Sequence, residues 1–528
     1  MTILKNVTDP LAADNTEQLV LYDGPASPCC RRCRITMIEK GLNWDTVYVN
    51  IAHMEQRGNS YLSLNPNGLV PTLRHGTRVL FESGVINDYL EAQFPDIPLM
   101  PEDAEGIALV RQWQAAELSM ARVFRPVMYA HVMGPLKRLT RTRAEAEQIA
   151  RQQTEDPWDI EWELKVWSMD VLKPQQLSNN REWLLNWLKP LERQLGKHRF
   201  VISDKFTQAD VSLYPRIDMY PNAGLEISPD HFPNVVRWMT DLKYRDSFAQ
   251  SATEGLKQNL NVSRSEELEL ARQFFAGSSC DFNDIEDTRL KDYSARQREA
   301  QGVDRLLHEL PTPRRLPPEA QGLKSPHQRP LKTVGKIAPP DLFLYGRSSS
   351  PEQRRVSILL NQLKIPYQQF PRIPDNLELI TDEGCDQPPL LEAGKLLLSD
   401  AGAIAVYLFS LQPKHQFYIP LTSYQRATHD MWLALESGSL KEFSRLRTTA
   451  KTDVETIDLI KTRISWTLHI LENQLTETNF LCGDQLSFAD LAWLTRIEEL
   501  DQELQLLATS ELRRVSDWLQ RSRSTLEL

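Results

Sequence analysis

Three of the six cysteines in this 528-residue chain lie within five positions, at Cys29, Cys30 and Cys33. They follow directly on Ser27-Pro28, a pair that favours the start of a helix because serine accepts first-turn amide hydrogens and proline suits the first helical position. The positive end of a helix also favours an anion, so a thiol bound there ionises more easily. The Ser27 hydroxyl is therefore open to two roles, a helix cap or a donor to a thiolate.

Two more pairs of residues between positions 65 and 84 are candidates for binding. Val70-Pro71 precedes a strand-like run and fits a cis peptide bond, which would turn the backbone groups of Val70 outward to pair with a peptide-like ligand. A rigid turn into an edge strand explains the same pair. Glu82-Ser83 precedes a helix, where the Ser83 amide and the Glu82 carboxylate would receive the α-carboxylate and α-amine of an amino acid. Ser83 would also serve simply as the cap of that helix.

The segment that positions these residues alternates strand and helix patterns. Strands are predicted over 19–22 and 44–50, on either side of a helix over 28–40. A hairpin over 70–81 then leads into a helix over 84–94. The order β-α-β followed by β-β-α predicts a small sheet covered by helices, and after it the pattern becomes helical throughout.

One sequence pattern occurs twice along the chain. Residues 21–34 and 344–357 share a tyrosine, a Ser-Pro and an Arg-Arg at the same spacing. Further matches follow in the same order: residues 113–117 resemble residues 432–436, with Trp113 and Glu117 matching Trp432 and Glu436, and residues 200–210 resemble residues 480–490. Ordered agreement at several places predicts an internal duplication. In the second copy other residues replace the three cysteines: Glu352, Gln353 and Val356.

The bulk composition excludes several classes of protein. With a net charge of -10, the chain has no overall basic field that would favour nucleic acid or an acidic membrane surface. No apolar run approaches the roughly 20 residues that span a bilayer, and the beginning of the chain lacks a secretory signal pattern. Six cysteines do not make a disulfide framework, and none has a zinc-site spacing with histidine. A cytoplasmic protein without a bound metal is expected.

Taken together, Ser27, Val70-Pro71 and Glu82-Ser83 resemble the glutathione S-transferase superfamily, and the resemblance covers both halves of the chain. It implies an α/β thioredoxin-like domain followed by an all-α helical domain, both duplicated, with glutathione as co-substrate. It assigns Ser27 to activation of the glutathione thiol, Val70 to a backbone clamp and Pro71 to the cis-proline. It assigns Glu82 with Ser83 to the γ-glutamyl site.

The resemblance divides the chain into five segments. They are a thioredoxin-like domain over 17–97, a helical domain over 98–253, a largely extended linker over 254–339, a second thioredoxin-like domain over 340–412 and a second helical domain over 413–528. Near its start the linker has helical spacing over 265–275. The second copy has Pro388-Pro389 and Asp400-Ala401 where the first has its Val-Pro and Glu-Ser pairs, so its site is expected to be degenerate. The two lobes are expected to pack as an intramolecular pseudo-dimer.

Each helical domain carries a pattern that matches the capping box of the family, at Thr207 to Asp210 and at Ser487 to Asp490. Three residues are candidates to line the pocket of the electrophile, with a stripe of core residues as the alternative: Trp113, Met120 and Phe124.

The cysteines add an alternative chemistry. Ser27-x-Cys29 is similar to the helix start of zeta-class isomerases and related reductive dehalogenases, which implies that Cys29 resolves a mixed disulfide with glutathione. Cys30 takes the resolving place of a thioredoxin motif, whereas Cys33, in mid-helix, is assigned to the core. Three arginines nearby are expected to be solvated or ion-paired: Arg31, Arg32 and Arg34.

The expected function is a glutathione transferase whose first lobe alone joins the glutathione thiolate to a small electrophile, whose identity the residues do not indicate. One alternative is a glutathione-dependent reductive or thiol–disulfide transferase that uses Cys29. The other is a non-catalytic binding protein, because residues 27–101 also resemble the stringent starvation protein family, transferase-fold partners of RNA polymerase. The intact Glu82-Ser83 pair favours the enzyme, because the resemblance to the stringent starvation protein family would imply a γ-glutamyl site that has lost its binding residues.

Overall fold

The chain folds into two lobes, each built from a four-stranded sheet and a set of helices. The computed structural model describes residues 18–76, 78–308, 341–374, 389–419, 424–441, 454–505, 507 and 510–528. Within these ranges, no helix is long and apolar enough to cross a membrane.

The sheet of the first lobe has the strand order β2-β1-β3-β4. Its strands are β1 (Leu19–Asp23), β2 (Asp45–Tyr48), β3 (Thr72–His75) and β4 (Arg78–Phe81). β1 pairs in parallel with β2 and antiparallel with β3, and β3 and β4 form a hairpin. Alternate residues of β1 enter two different apolar clusters, Leu19 and Leu21 on one face and Val20 and Tyr22 on the other. The predicted small α/β domain of thioredoxin-like topology is confirmed.

The helices of the first lobe form two groups. Those of the sheet domain are α1 (Pro28–Glu39), α2 (Asn59–Leu62) and α3 (Ser83–Gln93). Those of the helical domain are α4 (Ala104–Met128), α5 (Gly134–Thr140), α6 (Arg143–Gln153), α7 (Pro157–Trp167), α8 (Pro174–Leu195), α9 (Gln208–Ile217), α10 (Pro233–Lys243) and α11 (Asp246–Gln250). The capping box predicted at the start of α9 is present, because the Thr207 amide donates to Asp210 Oδ2 at 2.9 Å and the Ala209 amide donates to Thr207 Oγ1 at 3.3 Å.

Residues 254–308 are largely helical, which corrects the prediction of a largely extended linker over 254–339. The helices are α12 (Glu254–Ser263), α13 (Glu266–Phe275), α14 (Thr288–Ala300) and α15 (Val303–His308). α13 and α14 pack on α5, and Leu268, Phe275 and Leu290 are buried in the core of the first lobe. The helix expected over 265–275 is present as α13, whereas the polarity of the rest of the segment led to the wrong expectation of extended chain at α12, α14 and α15. The Pro- and Arg-rich remainder, 309–339, lies outside the described residues.

The second lobe repeats the first. Its strands are β5 (Leu342–Tyr345), β6 (Gln368–Phe370), β7 (Leu390–Ala393) and β8 (Leu396–Leu398), in the order β6-β5-β7-β8. Its helices are α16 (Pro351–Gln362), α17 (Ala401–Leu411), α18 (Tyr424–Leu435), α19 (Val454–Gln474), α20 (Phe488–Leu504) and α21 (Arg513–Leu526). β5 is again parallel to its first neighbour and antiparallel to its second, and the box at Ser487 and Asp490 begins α20. The predicted duplication is confirmed.

The two lobes contact each other through the last helix of each sheet domain and the first helix of each helical domain. α4 lies on α17, and α3 lies on α18. Gln112 Oε1 of α4 accepts a hydrogen bond from the Ser399 amide at 2.8 Å, and Arg122 Nη2 donates to the Ser437 carbonyl at 2.6 Å. One continuous cluster of buried apolar side chains includes residues from both sheets. The lobes therefore share a core as well as polar contacts.

Candidate functional site

Ser27 stands where the loop after β1 turns into α1. Its backbone is extended, with φ -74° and ψ 126°, and its Oγ accepts a hydrogen bond from the Cys30 amide at 3.3 Å. Pro28 is the first residue of the helix, as predicted. The half-buried Ser27 side chain is thus a helix cap, and its hydroxyl lies at the helix end that attracts anions.

The Val70-Pro71 peptide bond is cis, as predicted. The peptide before it is held in place, because Asn65 Nδ2 donates to the Leu69 carbonyl at 2.7 Å. The loop that leads into α1 lies directly against Val70, since a Cβ added to Gly24 would stand 2.9 Å from Val70 Cγ2. The half-buried Val70 therefore adjoins the start of α1.

Glu82 and Ser83 connect β4 to α3. Glu82 has a positive φ of 67°, and its Oε1 accepts from Asn67 Nδ2 at 2.7 Å. Burial raises the pKa of Glu82 above its ordinary value, against the opposing effects of the Asn67 amide and of Arg32. The alternative role of Ser83 as a cap of α3 is wrong: Glu82 occupies the N-cap position and no side chain caps the helix. The buried Ser83 hydroxyl instead accepts from Arg32 Nη1 at 3.4 Å.

The structure therefore brings the predicted site residues together. The loop before α1 touches Val70, and Arg32 of α1 reaches Ser83. Ser27 caps α1, Val70 lies against the loop before it, and Ser83 is bound by Arg32 of the same helix, although these residues come from three separate stretches of the chain. Their individual roles in binding stay predictions.

The three cysteines differ in their surroundings. Cys29 is half-buried, and its Sγ accepts a hydrogen bond from Arg216 Nη2 of α9 at 3.5 Å. Cys30 and Cys33 are fully buried. Burial raises the pKa of Cys30 well above its ordinary value, and the Gly24 amide and the Ser27 hydroxyl offset this only in part. Burial likewise raises the pKa of Cys33, which packs in the main core as predicted. Both buried thiols are therefore protonated at neutral pH.

A buried ion-pair cluster lies beside Cys29. Glu117 of α4 accepts from Arg216 Nε at 2.5 Å and also pairs with Arg32 of α1. Burial would raise the pKa of Glu117, but the two guanidinium groups outweigh it and hold that pKa below its ordinary value. The neighbouring arginines are ion-paired rather than solvated, Arg31 with Asp218 at 2.7 Å and Arg34 with Asp23 at 2.5 Å.

Sequence reasoning used Glu117 only as a marker of the duplication and assigned no role to Arg216. A signal for the cluster existed in the repeat itself, because a Trp-x-x-x-Glu pattern occurs at Trp113 and again at Trp432. The residues proposed to line an electrophile pocket belong to the core instead: Trp113, Met120 and Phe124. Phe124 stacks on Tyr220, with ring centroids 5.6 Å apart.

At the corresponding end of α16 in the second lobe, Ser350 again caps the helix, accepting from the Gln353 amide at 3.4 Å. Glu352 stands where the first lobe has Cys29. Its Oε2 accepts from Ser350 Oγ at 3.0 Å, and its Oε1 pairs with Arg496 and, at 3.3 Å, with Lys441 Nζ. Burial would raise the pKa of Glu352, but the cations outweigh it and lower that pKa well below its ordinary value.

Two further pairs of residues are altered in the second lobe, Asp400-Ala401 and Pro388-Pro389. Asp400 Oδ1 accepts from the Ala403 amide at 2.8 Å, so this residue caps α17. Pro388 lies outside the described residues, and Pro389 is the first residue after that gap. Over the described part of the chain, no group of histidine, cysteine and carboxylate side chains is placed to hold a metal ion.

Models of known families match three parts of the chain. The model "Glutathione S-transferase, N-terminal domain" matches residues 26–93. Models described as "Glutathione S-transferase, C-terminal domain" match residues 159–246 and, in the second lobe, residues 442–525.

Several known proteins are similar to parts of the chain. A stringent starvation protein A homolog from Coxiella burnetii is 25% identical over 45% of this chain and 92% of its own length. Glutathione S-transferase F7 from Arabidopsis thaliana is 25% identical over 43% of this chain and 95% of its own length. Glutathione S-transferase 1 from Dianthus caryophyllus is 35% identical over 21% of this chain and 50% of its own length.

Among solved structures, the beta-etherase LigF from Sphingobium sp. strain SYK-6 is 24% identical, with a TM-score of 0.40 over 44% of this chain and 98% of its own. The transferase URE2P6 from Phanerochaete chrysosporium, solved with oxidized glutathione, is 20% identical, with a TM-score of 0.36 over 47% of this chain and 98% of its own.

Proposed function

Because the chain belongs to the glutathione S-transferase superfamily, we propose that its first lobe binds glutathione and transfers the glutathione sulfur to a small electrophile. One observation carries this proposal. Ser27, Val70 of the cis Val70-Pro71 peptide and Ser83 all lie at α1 or against the loop before it, within the segment matched by the family's N-terminal model. The second lobe is proposed to serve as scaffold, because Glu352 and Asp400-Ala401 replace the corresponding groups.

Each side chain has a proposed role in binding the tripeptide. The Glu82 carboxylate would receive the α-amine of the γ-glutamyl residue, and the Ser83 amide and hydroxyl would receive its α-carboxylate. The backbone of Val70 would pair with the cysteinyl residue of glutathione, as one strand pairs with another. The sulfur would then lie near Ser27 and the N-terminus of α1.

The proposed reaction needs no general base on the protein. Ser27 donates a hydrogen bond that favours the thiolate, so the thiol proton leaves to water when glutathione binds. The thiolate attacks the electrophilic carbon, a carbon–sulfur bond forms, and the leaving group departs with the electron pair of the broken bond. The site therefore acts mainly by holding the ionised sulfur in place.

Glutathione binding is the first test of this function. Affinity for glutathione and the ultraviolet absorbance of bound thiolate should be measured for the wild type, Ser27→Ala and Cys29→Ala. We expect Ser27→Ala to lose the thiolate signal and Cys29→Ala to keep it. If the wild-type protein binds no glutathione, the proposed transferase activity is wrong.

Thiol–disulfide transfer through Cys29 is the second candidate, favoured by the contact between Arg216 and the Cys29 sulfur. The Cys29 thiolate would attack the glutathionyl sulfur of a mixed disulfide, form a disulfide with glutathione and release the other thiol as its thiolate. A second glutathione thiolate would then attack, yielding glutathione disulfide and free Cys29. Loss of activity in Cys29→Ala with retention in Ser27→Ala would select this chemistry.

A non-catalytic binding function is the third candidate. The similarity to a stringent starvation protein A homolog over 92% of that protein's length is the observation behind it. The glutathione titration described above distinguishes this candidate from the enzyme, because a binding protein that has lost its glutathione site would show neither affinity for glutathione nor a thiolate signal.

We also propose that the two lobes form an intramolecular pseudo-dimer. The hydrogen bond between Gln112 and Ser399 and the shared apolar cluster support this arrangement. A reducing, cytoplasmic setting is proposed as well, and it is consistent with the five free cysteines of the described ranges.

A further inference from the structure

The two lobes place equivalent residues around the start of α1 and of α16. Ser27 corresponds to Ser350, Cys29 to Glu352, Glu117 to Glu436 and Arg216 to Arg496. Both arginines come nine residues after the first residue of a capping box. The Arg–Glu–Arg cluster of the first lobe also recurs, because Glu436 pairs with Arg355 at 2.8 Å and with Arg496 at 2.8 Å. The two sites can therefore be compared group by group.

In the second lobe an anion occupies this site. The Glu352 carboxylate accepts from the Ser350 hydroxyl at 3.0 Å and pairs with the Arg496 guanidinium. Its side chain is only 13% exposed, so the charge is largely withdrawn from water and stabilised by these partners and by Lys441. A serine hydroxyl and an arginine from the helical domain together thus hold one negative charge at the helix N-terminus.

In the first lobe the same two groups are present without the carboxylate. Arg216 is 92% buried: its exposed fraction is 8%. Its Nε is bound to Glu117, which leaves Nη2 directed at the Cys29 sulfur, 3.5 Å away. Burial alone would lower the pKa of Arg216, but Glu117 and the Cys29 sulfur outweigh it and raise that pKa above its ordinary value. The guanidinium is therefore charged at neutral pH.

We infer that Ser27 and Arg216 form a two-donor site for a thiolate, that Glu117 positions Arg216 in it, and that Glu352 fills the equivalent site of the second lobe. For the sulfur of glutathione the inference rests on the proposed function; for the sulfur of Cys29 it does not. Both sulfurs would lie at the start of α1 and would present the same chemistry when ionised. Arg216 has a charge that Ser27 lacks, so it stabilises the ionised form and not the neutral thiol.

The test compares Arg216→Gln and Arg216→Lys with Arg245→Gln. Arg245 makes a matched ion pair between a loop of the helical domain and α1, with Glu39 at 2.5 Å, away from this site. Lysine keeps the charge opposite Glu117, so Arg216→Lys retains the cluster if Arg216→Gln does not fold. One arm measures the thiolate absorbance of bound glutathione against pH, in proteins that also carry Cys29→Ser. The other measures alkylation of Cys29 by iodoacetamide at mildly acidic pH, without glutathione.

We expect Arg216→Gln to lower the thiolate signal or the alkylation rate by about tenfold, with a smaller loss in Arg216→Lys and none in Arg245→Gln. Loss in the glutathione arm assigns the site to the glutathione sulfur, and loss in the alkylation arm assigns it to Cys29. If the wild type binds no glutathione, the proposed function fails while the alkylation arm still decides on Arg216. Unchanged pH profiles and rates in both Arg216 variants would overturn the inference.

Discussion

Ser27 and Ser350 begin equivalent helices in the two lobes, and each accepts a hydrogen bond from the amide three residues later, at 3.3 Å and 3.4 Å. The local structure is the same, yet the surroundings differ. Ser350 donates its hydroxyl to Glu352 within its own lobe, whereas the residue at that position in the first lobe is Cys29. Both serines therefore cap a helix, and thiol activation is proposed for Ser27 alone. Comparing variants of Ser27 and Ser350 distinguishes the two roles.

Ser27→Ala and Ser350→Ala should both lower stability but differ in their effects on activity. Each loses a helix cap, which costs about 1 kcal/mol, and Ser350→Ala also removes the hydroxyl that donates to Glu352. Only Ser27→Ala should lower kcat/KM with glutathione, by about 100-fold, because it removes a donor to the reacting sulfur. Urea unfolding and steady-state kinetics of the two variants check both statements. Equal losses of activity would show that Ser27 acts only as a cap.

Glu82→Gln should weaken glutathione binding with little effect on the chemical step. Gln keeps an oxygen that can accept from Asn67, now at 2.7 Å from Glu82 Oε1, but loses the charge proposed to bind the γ-glutamyl amine. We expect KM for glutathione to rise about tenfold while kcat stays within twofold, since the lost interaction is made equally in the ground state and the transition state. Asp400→Asn, at the matching position of the second lobe, is the control. A fall in kcat without a rise in KM would contradict this role.

The fold was predictable where short stretches of sequence determine structure. Ser27-Pro28 and the box at Thr207 specify helix starts through contacts within a few residues, and both are present. Because these patterns occur twice, the duplication was predictable too. The candidate site was predictable in so far as its residues lie at such local features.

The parts of the fold and of the candidate site that could not be predicted depend on contacts between residues far apart in sequence. Arg216 contacts Cys29 across 187 positions, and Glu117 joins α1 to α9. The repeated Trp-x-x-x-Glu pattern marks Glu117, but no local pattern shows which residues it contacts. The same reason explains the helices over 254–308: α13 and α14 pack on α5, and α15 packs on α6, so their apolar residues are buried by elements far away in sequence. Ser83 is a third example. A serine before a helix suggests a helix cap, but the Ser83 hydroxyl accepts a hydrogen bond from Arg32 instead.

The buried aspartates of the two capping boxes should be equally important for stability. Asp210 accepts from Trp238 Nε1 at 2.9 Å and from the Thr207 amide at 2.9 Å, and Asp490 accepts from Trp518 Nε1 at 2.9 Å. Alanine at either position leaves buried donors without partners, so we expect Asp210→Ala and Asp490→Ala each to cost about 3 kcal/mol or more.

Because the apolar core continues from one lobe into the other, both variants should lower the midpoint of a single unfolding transition. Thermal unfolding followed by circular dichroism and by tryptophan fluorescence tests this expectation. Two separate transitions, each sensitive to only one of the variants, would show that the lobes unfold independently.

His131 is a source of acid sensitivity in the first lobe. It lies in the π-helical turn after α4, where Arg181 Nη2 donates to its Nδ1 at 2.8 Å and Arg272 Nη1 donates to its carbonyl at 2.9 Å. Burial and these two guanidinium groups lower the pKa of His131 from 6.5 to about 3. The folded protein therefore leaves this imidazole neutral over a range in which the unfolded chain protonates it.

The stability that neutral His131 contributes should be present above pH ~6.5 and lost as the pH falls toward its folded-state pKa, by up to ~1.4 kcal/mol per pH unit. His131→Gln keeps an acceptor for Arg181 and cannot be protonated, so it should flatten the decline in stability on acidification. Urea midpoints of the wild type and of His131→Gln, measured at neutral and at mildly acidic pH, test this. His231→Gln, at an exposed position, is the control and should behave as the wild type does. An equal decline in all three proteins would show that other groups govern the acid response.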